Sequence, residues 1–87
     1  MKIEHIGIAV KSLSDSDQLF ARLLGRASYK KESVEREGVT TSFYGVEDSK
    51  IELLEASNPD SPIAKYLEKK GEGIHHIAFG VEDLFFE

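Results

Sequence analysis

Eighty-seven residues are enough for one small domain with a modest core. The composition is that of a globular chain, 40% hydrophobic and 31% charged, and the formal charge of −5 argues against general affinity for nucleic acid or anionic membranes. No cysteine is present, which removes disulfides and thiolate metal sites, no apolar run is long enough for a membrane span, and Glu4 breaks any secretory leader pattern, so a cytoplasmic location is expected.

Residues 3–10 alternate as a strand should. Ile6, Ile8 and Val10 share one side, and Ile3, His5, Gly7 and Ala9 share the other. Ser14 is the expected N-cap of a helix, with Asp15 and Asp17 in the first turn, where the helix dipole favours acidic groups. Leu19, Phe20, Leu23 and Leu24 recur at helical spacing, and Gly25 falls just past the end. Residues 27–34 and 39–46 read as two strands joined by the polar turn Glu35–Gly38. Glu47–Ser49 is a tight turn before a strand over residues 50–55. After the turn-rich Ala56–Pro62, a second helix is expected, with Ser61 as N-cap and Pro62 at its first position. Ile63, Tyr66 and Leu67 form its apolar stripe, and Gly71 and Gly73 end it. Residues 74–81 again read as a strand.

This order of elements predicts an α+β fold, with a helix against one sheet face and the His5 face left open and concave. A self-similarity sharpens that reading. His-Ile-Gly-Ile-Ala-Val at residues 5–10 matches His-Ile-Ala-Phe-Gly-Val at residues 76–81, position by position in type, and Leu13 and Leu84 continue the register. Residues 1–56 are therefore expected to form one βαβββ module, residues 57–73 a linker with a helix, and residues 74–87 the first strand of a second, incomplete module. Eleven residues follow His76, whereas the first module uses about fifty after His5. On this reading the chain is a truncation.

His5 and His76 hold equivalent positions in the repeated strands, and modules paired about a pseudo-twofold axis bring such positions together. Strand alternation puts Glu52 on the face opposite Ile51 and Leu53, in the same concavity. Two imidazoles and a carboxylate suit a divalent first-row metal and leave positions open for a substrate. A lone strand histidine is more often a surface or satisfied core residue, and a lone strand glutamate is usually solvated; the repeated small-residue frame is what favours a metal site. His75 is expected on the opposite face from His76, in a structural role. Lys65, Lys69 and Lys70 can meet the phosphates of a bulky anionic substrate, although such clusters are usually a solvated helix face. Tyr29, Phe43 and Tyr44 read as sheet packing, and Glu32, Glu35 and Glu37 as solvated turn residues.

The opening EHIGIAVKSL and the segment SKIELLEASNPDSPIAKYLEKKGEGIHHIAFGVEDL resemble methylmalonyl-CoA epimerases, members of the vicinal oxygen chelate (glyoxalase-like) superfamily. The resemblance implies paired βαβββ modules curved around a divalent metal (cobalt, zinc, nickel or manganese), with His5, Glu52 and His76 matching three of four protein ligands. The fourth lies on the last strand of a second module, which this chain does not reach. Some members carry a glutamate base on the strand around Thr40–Phe43, and the aligned residue here is Thr41. The implied activity is epimerisation of an acyl-CoA thioester through an enolate. It needs an acid–base group on each side of the reacting carbon, and no residue is assigned to either role, because Glu55 falls on the helix-side register. The expected partner is a second copy of the chain completing the half-site as a homodimer, through strand exchange at residues 74–81. Two competing readings are a catalytically silent binding module and a lactoylglutathione lyase-like relative.

Overall fold

The computed structural model describes residues 1–81; Leu84 and the tail Leu84–Glu87, which enter the repeat and the truncation reading, lie outside the described residues. The elements run β1 (Lys2–Ala9), α1 (Leu13–Leu24), β2 (Lys30–Val34), a 3-10 turn (Glu35–Glu37), β3 (Val39–Val46), β4 (Ser49–Ala56), α2 (Pro62–Lys70) and β5 (Gly73–Gly80). They form a mixed α+β fold around one five-stranded sheet ordered β2-β3-β4-β1-β5. β1 lies parallel to β4 and antiparallel to β5, and the other pairs are antiparallel.

The two faces are packed by different helices. On one, Val10, Leu13, Tyr44 and Leu53 form a buried cluster, with Ile8, Phe20, Leu24 and Ile51 against it, so α1 covers this side. Burying a large apolar side chain such as Leu53 contributes about 1.5–3 kcal/mol before entropy is counted. On the other, Ala9, Leu54 and Ile63 are buried with Val39, Ala56, Tyr66 and Leu67, which places α2 over one end of the His5 face. The expected open concavity is therefore narrower than alternation alone suggests. Ile63, Tyr66 and Leu67 on α2 have apolar area to bury, and Ala9, Leu54 and Val39 supply the surface.

Three boundaries depart from the sequence reading. The N-cap of α1 is Ser12 rather than Ser14, and its hydroxyl accepts a hydrogen bond from the Asp15 amide. The Leu13 amide donates to the Glu55 carboxylate, 42 positions away, so a tertiary acceptor satisfies a second free donor and fixes the earlier start. Glu55 is thus held on the helix side, as its register predicts. Gly25 closes α1 in the left-handed region at φ 71°. The strand after it begins at Lys30 instead of residue 27, and Gly73 opens β5 rather than ending α2, whose C-cap is Gly71.

Register shifts fall in the β1–β5 pair between Ile3 and His5 and between Gly7 and Ile8. The first leaves Glu4 as an extra residue of β1, and the second leaves His75 as an extra residue of β5. Each bulge turns a side chain away from strict alternation. Ile3 lines a hollow with Ile6, Val46 and Ile51, not the side of His5 where alternation put it. His75 does not project beneath the sheet away from His76; the two Nδ1 atoms lie 2.9 Å apart.

Candidate metal centre

One row of paired residues crosses the sheet from edge to edge: Lys30, Phe43, Glu52, Gly7 and His76. Paired residues share a face, so Glu52 and His76 flank Gly7 on the same side. A Cβ on Gly7 would stand 2.2 Å from His76 Cε1 and 2.6 Å from its Nε2, so the imidazole lies over the glycine and needs its missing side chain. His5 is two residues earlier on β1 and joins from the next row. Its Nε2 sits 3.0 Å from His76 Nε2, and the rings meet edge-on with centroids 5.0 Å apart. Glu52 Oε2 is 3.6 Å from His5 Nδ1. One ligand atom from each of His5, Glu52 and His76 falls within 4.8 Å of the others, so the fold brings the three expected residues together.

Glu4 is the site residue that alternation missed. Its carboxylate pairs with His5 Nδ1, and Lys50 Nζ pairs with its other oxygen at 3.0 Å. A proton held at Nδ1 leaves the Nε2 lone pair free to face the cluster, which is how an outer carboxylate prepares a ligating imidazole. The residue preceding a strand histidine normally points to the other face, and only the bulge brings Glu4 round. The hydrogen bond to His5, followed by that to Lys50, holds the Glu4 carboxyl below the ordinary carboxylate range. Burial pushes the His76 imidazole below its usual value, and the His5 and His75 rings push the same way, against an opposing pull from Glu52.

The residues fit a divalent ion. Two nitrogens each about 2.1 Å from one ion stand about 3 Å apart at the right angles of an octahedral site and about 3.4 Å apart in a tetrahedral one, and the two Nε2 atoms are 3.0 Å apart. With both protons at Nδ1 the two Nε2 atoms are acceptors that a shared cation would join, whereas a proton on either Nε2 makes the pair a hydrogen bond.

Beside His76 a cleft of about 390 Å³ opens between the 3-10 turn and α2, with Val39, Leu54 and Ile63 as apolar lining and Arg36, Glu37 and His75 at its polar side. Thr41 pairs with Leu54 on this face and is buried; a threonine hydroxyl does not serve as a general base near neutral pH.

This five-stranded sheet with its helix is that of a glyoxalase-like module. The sequence matches the Glyoxalase/Bleomycin resistance protein/Dioxygenase superfamily over residues 4–85, and the chain belongs to that family. The protein YqjC of Bacillus subtilis, itself uncharacterized, is 44% identical over 90% of this chain and 56% of its own length. The mitochondrial methylmalonyl-CoA epimerase of Dictyostelium discoideum is 38% identical over 95% of this chain and 51% of its own length. The solved structure of a glutamate-to-glutamine variant of Streptomyces coelicolor methylmalonyl-CoA epimerase in complex with 2-nitronate-propionyl-CoA superposes with a TM-score of 0.83 at 36% identity, covering 97% of this chain and 64% of that one. The chain thus spans about half the length of the curated relatives it matches.

Proposed function

We propose that this chain carries the metal-binding half of a methylmalonyl-CoA epimerase-type site, acting on an acyl-CoA thioester by enolate-forming proton transfer. The observation that supports it most is the convergence of His5, Glu52 and His76 within 4.8 Å, in a chain whose relatives include named methylmalonyl-CoA epimerases. When bound there, a divalent cation such as cobalt, zinc, nickel or manganese supplies Lewis acidity that favours enolate formation next to a thioester carbonyl. The protein's own part is preparation. Glu4 holds the His5 proton at Nδ1. Gly7 leaves the space that the His76 ring fills. Val39, Leu54 and Ile63 give the adjoining cleft an apolar lining that limits water beside the reacting carbon.

Among the described residues three protein ligands leave the site short of a full shell and without an assigned acid–base pair, so we assign competence to an assembly with a second copy of the chain. β5 lies at the sheet edge and exposes Ile74, Ile77 and Phe79, which favours strand pairing or exchange there.

The test is exchange of the α-proton of methylmalonyl-CoA in deuterated water, followed by NMR, with cobalt added to the 87-residue chain. Exchange is expected with the native protein and is expected to vanish with His76→Ala. Cobalt-loaded protein that produces no exchange even at high concentration would overturn the reading.

A further inference from the structure

This acidic molecule carries a positive patch on α2. Lys65 and Lys69 stand four residues apart on one helix face, with Lys70 beside them, and all three are exposed. They line a hollow of about 410 Å³ together with Tyr66, Glu68 and His75. Lys69 and Lys70 lie in the last turn, where the helix dipole alone accounts for a cation. Lys65 lies in the middle of the helix and gains nothing from the dipole.

This hollow adjoins the cleft at His76. Pro62 and His75 line both, so the two spaces meet at one boundary. Tyr66 fixes that boundary, because its hydroxyl donates to the Ile74 carbonyl at 2.7 Å and its ring meets His75 edge-on at 4.9 Å. A route thus runs from the His5–Glu52–His76 cluster, past an apolar lining, to a lysine-bearing helix face. Each space falls in the range of about 300–1,000 Å³ usual for small-molecule sites. An elongated ligand with a reactive end, an apolar middle and a phosphorylated far end matches the order of these surfaces.

We infer that the face of α2 bearing Lys65 and Lys69 is a phosphate-binding subsite, which holds the phosphorylated nucleotide end of an acyl-CoA while its thioester reaches the metal-binding cluster. The inference rests on the acyl-CoA reading above. Glu68 in the same hollow carries the opposite charge, so the subsite draws on two lysines rather than on a uniformly basic surface.

Calorimetric binding of coenzyme A and of pantetheine, which lacks the nucleotide, tests it at fixed ionic strength near 0.15 M. The chain has no cysteine to trap either thiol. The native protein is expected to bind coenzyme A at least tenfold more tightly than pantetheine. The double variant Lys65→Glu, Lys69→Glu should bring that ratio close to one, and Lys65→Arg with Lys69→Arg should keep it. Cobalt affinity in the same samples should stay unchanged, which separates loss of phosphate contact from damage to the fold. A native ratio near one, no measurable coenzyme A binding, or a ratio untouched by the glutamate pair would each overturn the subsite. None of these readings needs turnover, so failure of proton exchange and failure of this subsite are distinguishable.

Discussion

Each face of the sheet holds a carboxylate among polar partners, and the two groups are built to opposite ends. Under α1, Asp17 takes hydrogen bonds from Ser42 at 2.7 Å and from Tyr44 at 2.6 Å, and Lys31 Nζ lies 3.0 Å from its other oxygen. Burial pushes the Asp17 carboxyl up, but the bonds from Tyr44 and Ser42 and the Lys31 ion pair outweigh it and leave it low. Both hydroxyls converge on Oδ1, while the buried Oδ2 has the Lys31 ion pair and no hydrogen bond, and the cluster fastens α1 to β3. On the far face, the His5 and His76 Nε2 atoms face each other 3.0 Å apart beside Glu52, and among the described residues no lysine or arginine pairs with Glu52. A carboxylate bonded by hydroxyls from a neighbouring strand ties two elements together; imidazoles and a carboxylate converging on one point, with Glu4 behind them, make a place for a ligand.

If that contrast is right, substitutions on the α1 face should change stability and leave metal affinity alone, and the reverse should hold across the sheet. Leu53→Ala should have the largest effect. The residue is fully buried, and the cavity should cost about 2–5 kcal/mol in chemical denaturation, with cobalt affinity of the folded fraction unchanged. A parallel loss of cobalt affinity would mean that the two faces are coupled.

Tyr44→Phe should follow, at about 1–3 kcal/mol, because Asp17 loses a buried donor. It also carries a pH signature. Burial first, and Asp17 second, push the Tyr44 hydroxyl from 10.0 up to about 12. A raised folded value means that this stabilisation is complete below pH 10.0 and is lost as the pH rises towards about 12. Native protein should lose stability across that window, measured by denaturant midpoints, and the phenylalanine variant should lose less.

Glu4→Gln should be the mildest change. It leaves the fold intact while weakening cobalt binding about 10–100-fold, because the His5 tautomer is no longer held. Spectroscopic titration would read this, and unchanged affinity would remove Glu4 from the site.

The sequence by itself determined the order of strands and helices, Ser61 and Gly25 as caps, and that His5, Glu52 and His76 share one sheet face, because period-two alternation within each strand is a local signal. Tertiary structure alone decided the start of α1 at Ser12, since its second acceptor, Glu55, comes from β4. It decided that α2 closes one end of the site face, since the area it buries belongs to Ala9, Leu54 and Val39. It also decided the places of Glu4 and His75. A bulge exists only as two residues set against one on a partner strand, so no reading of β1 or β5 alone contains it.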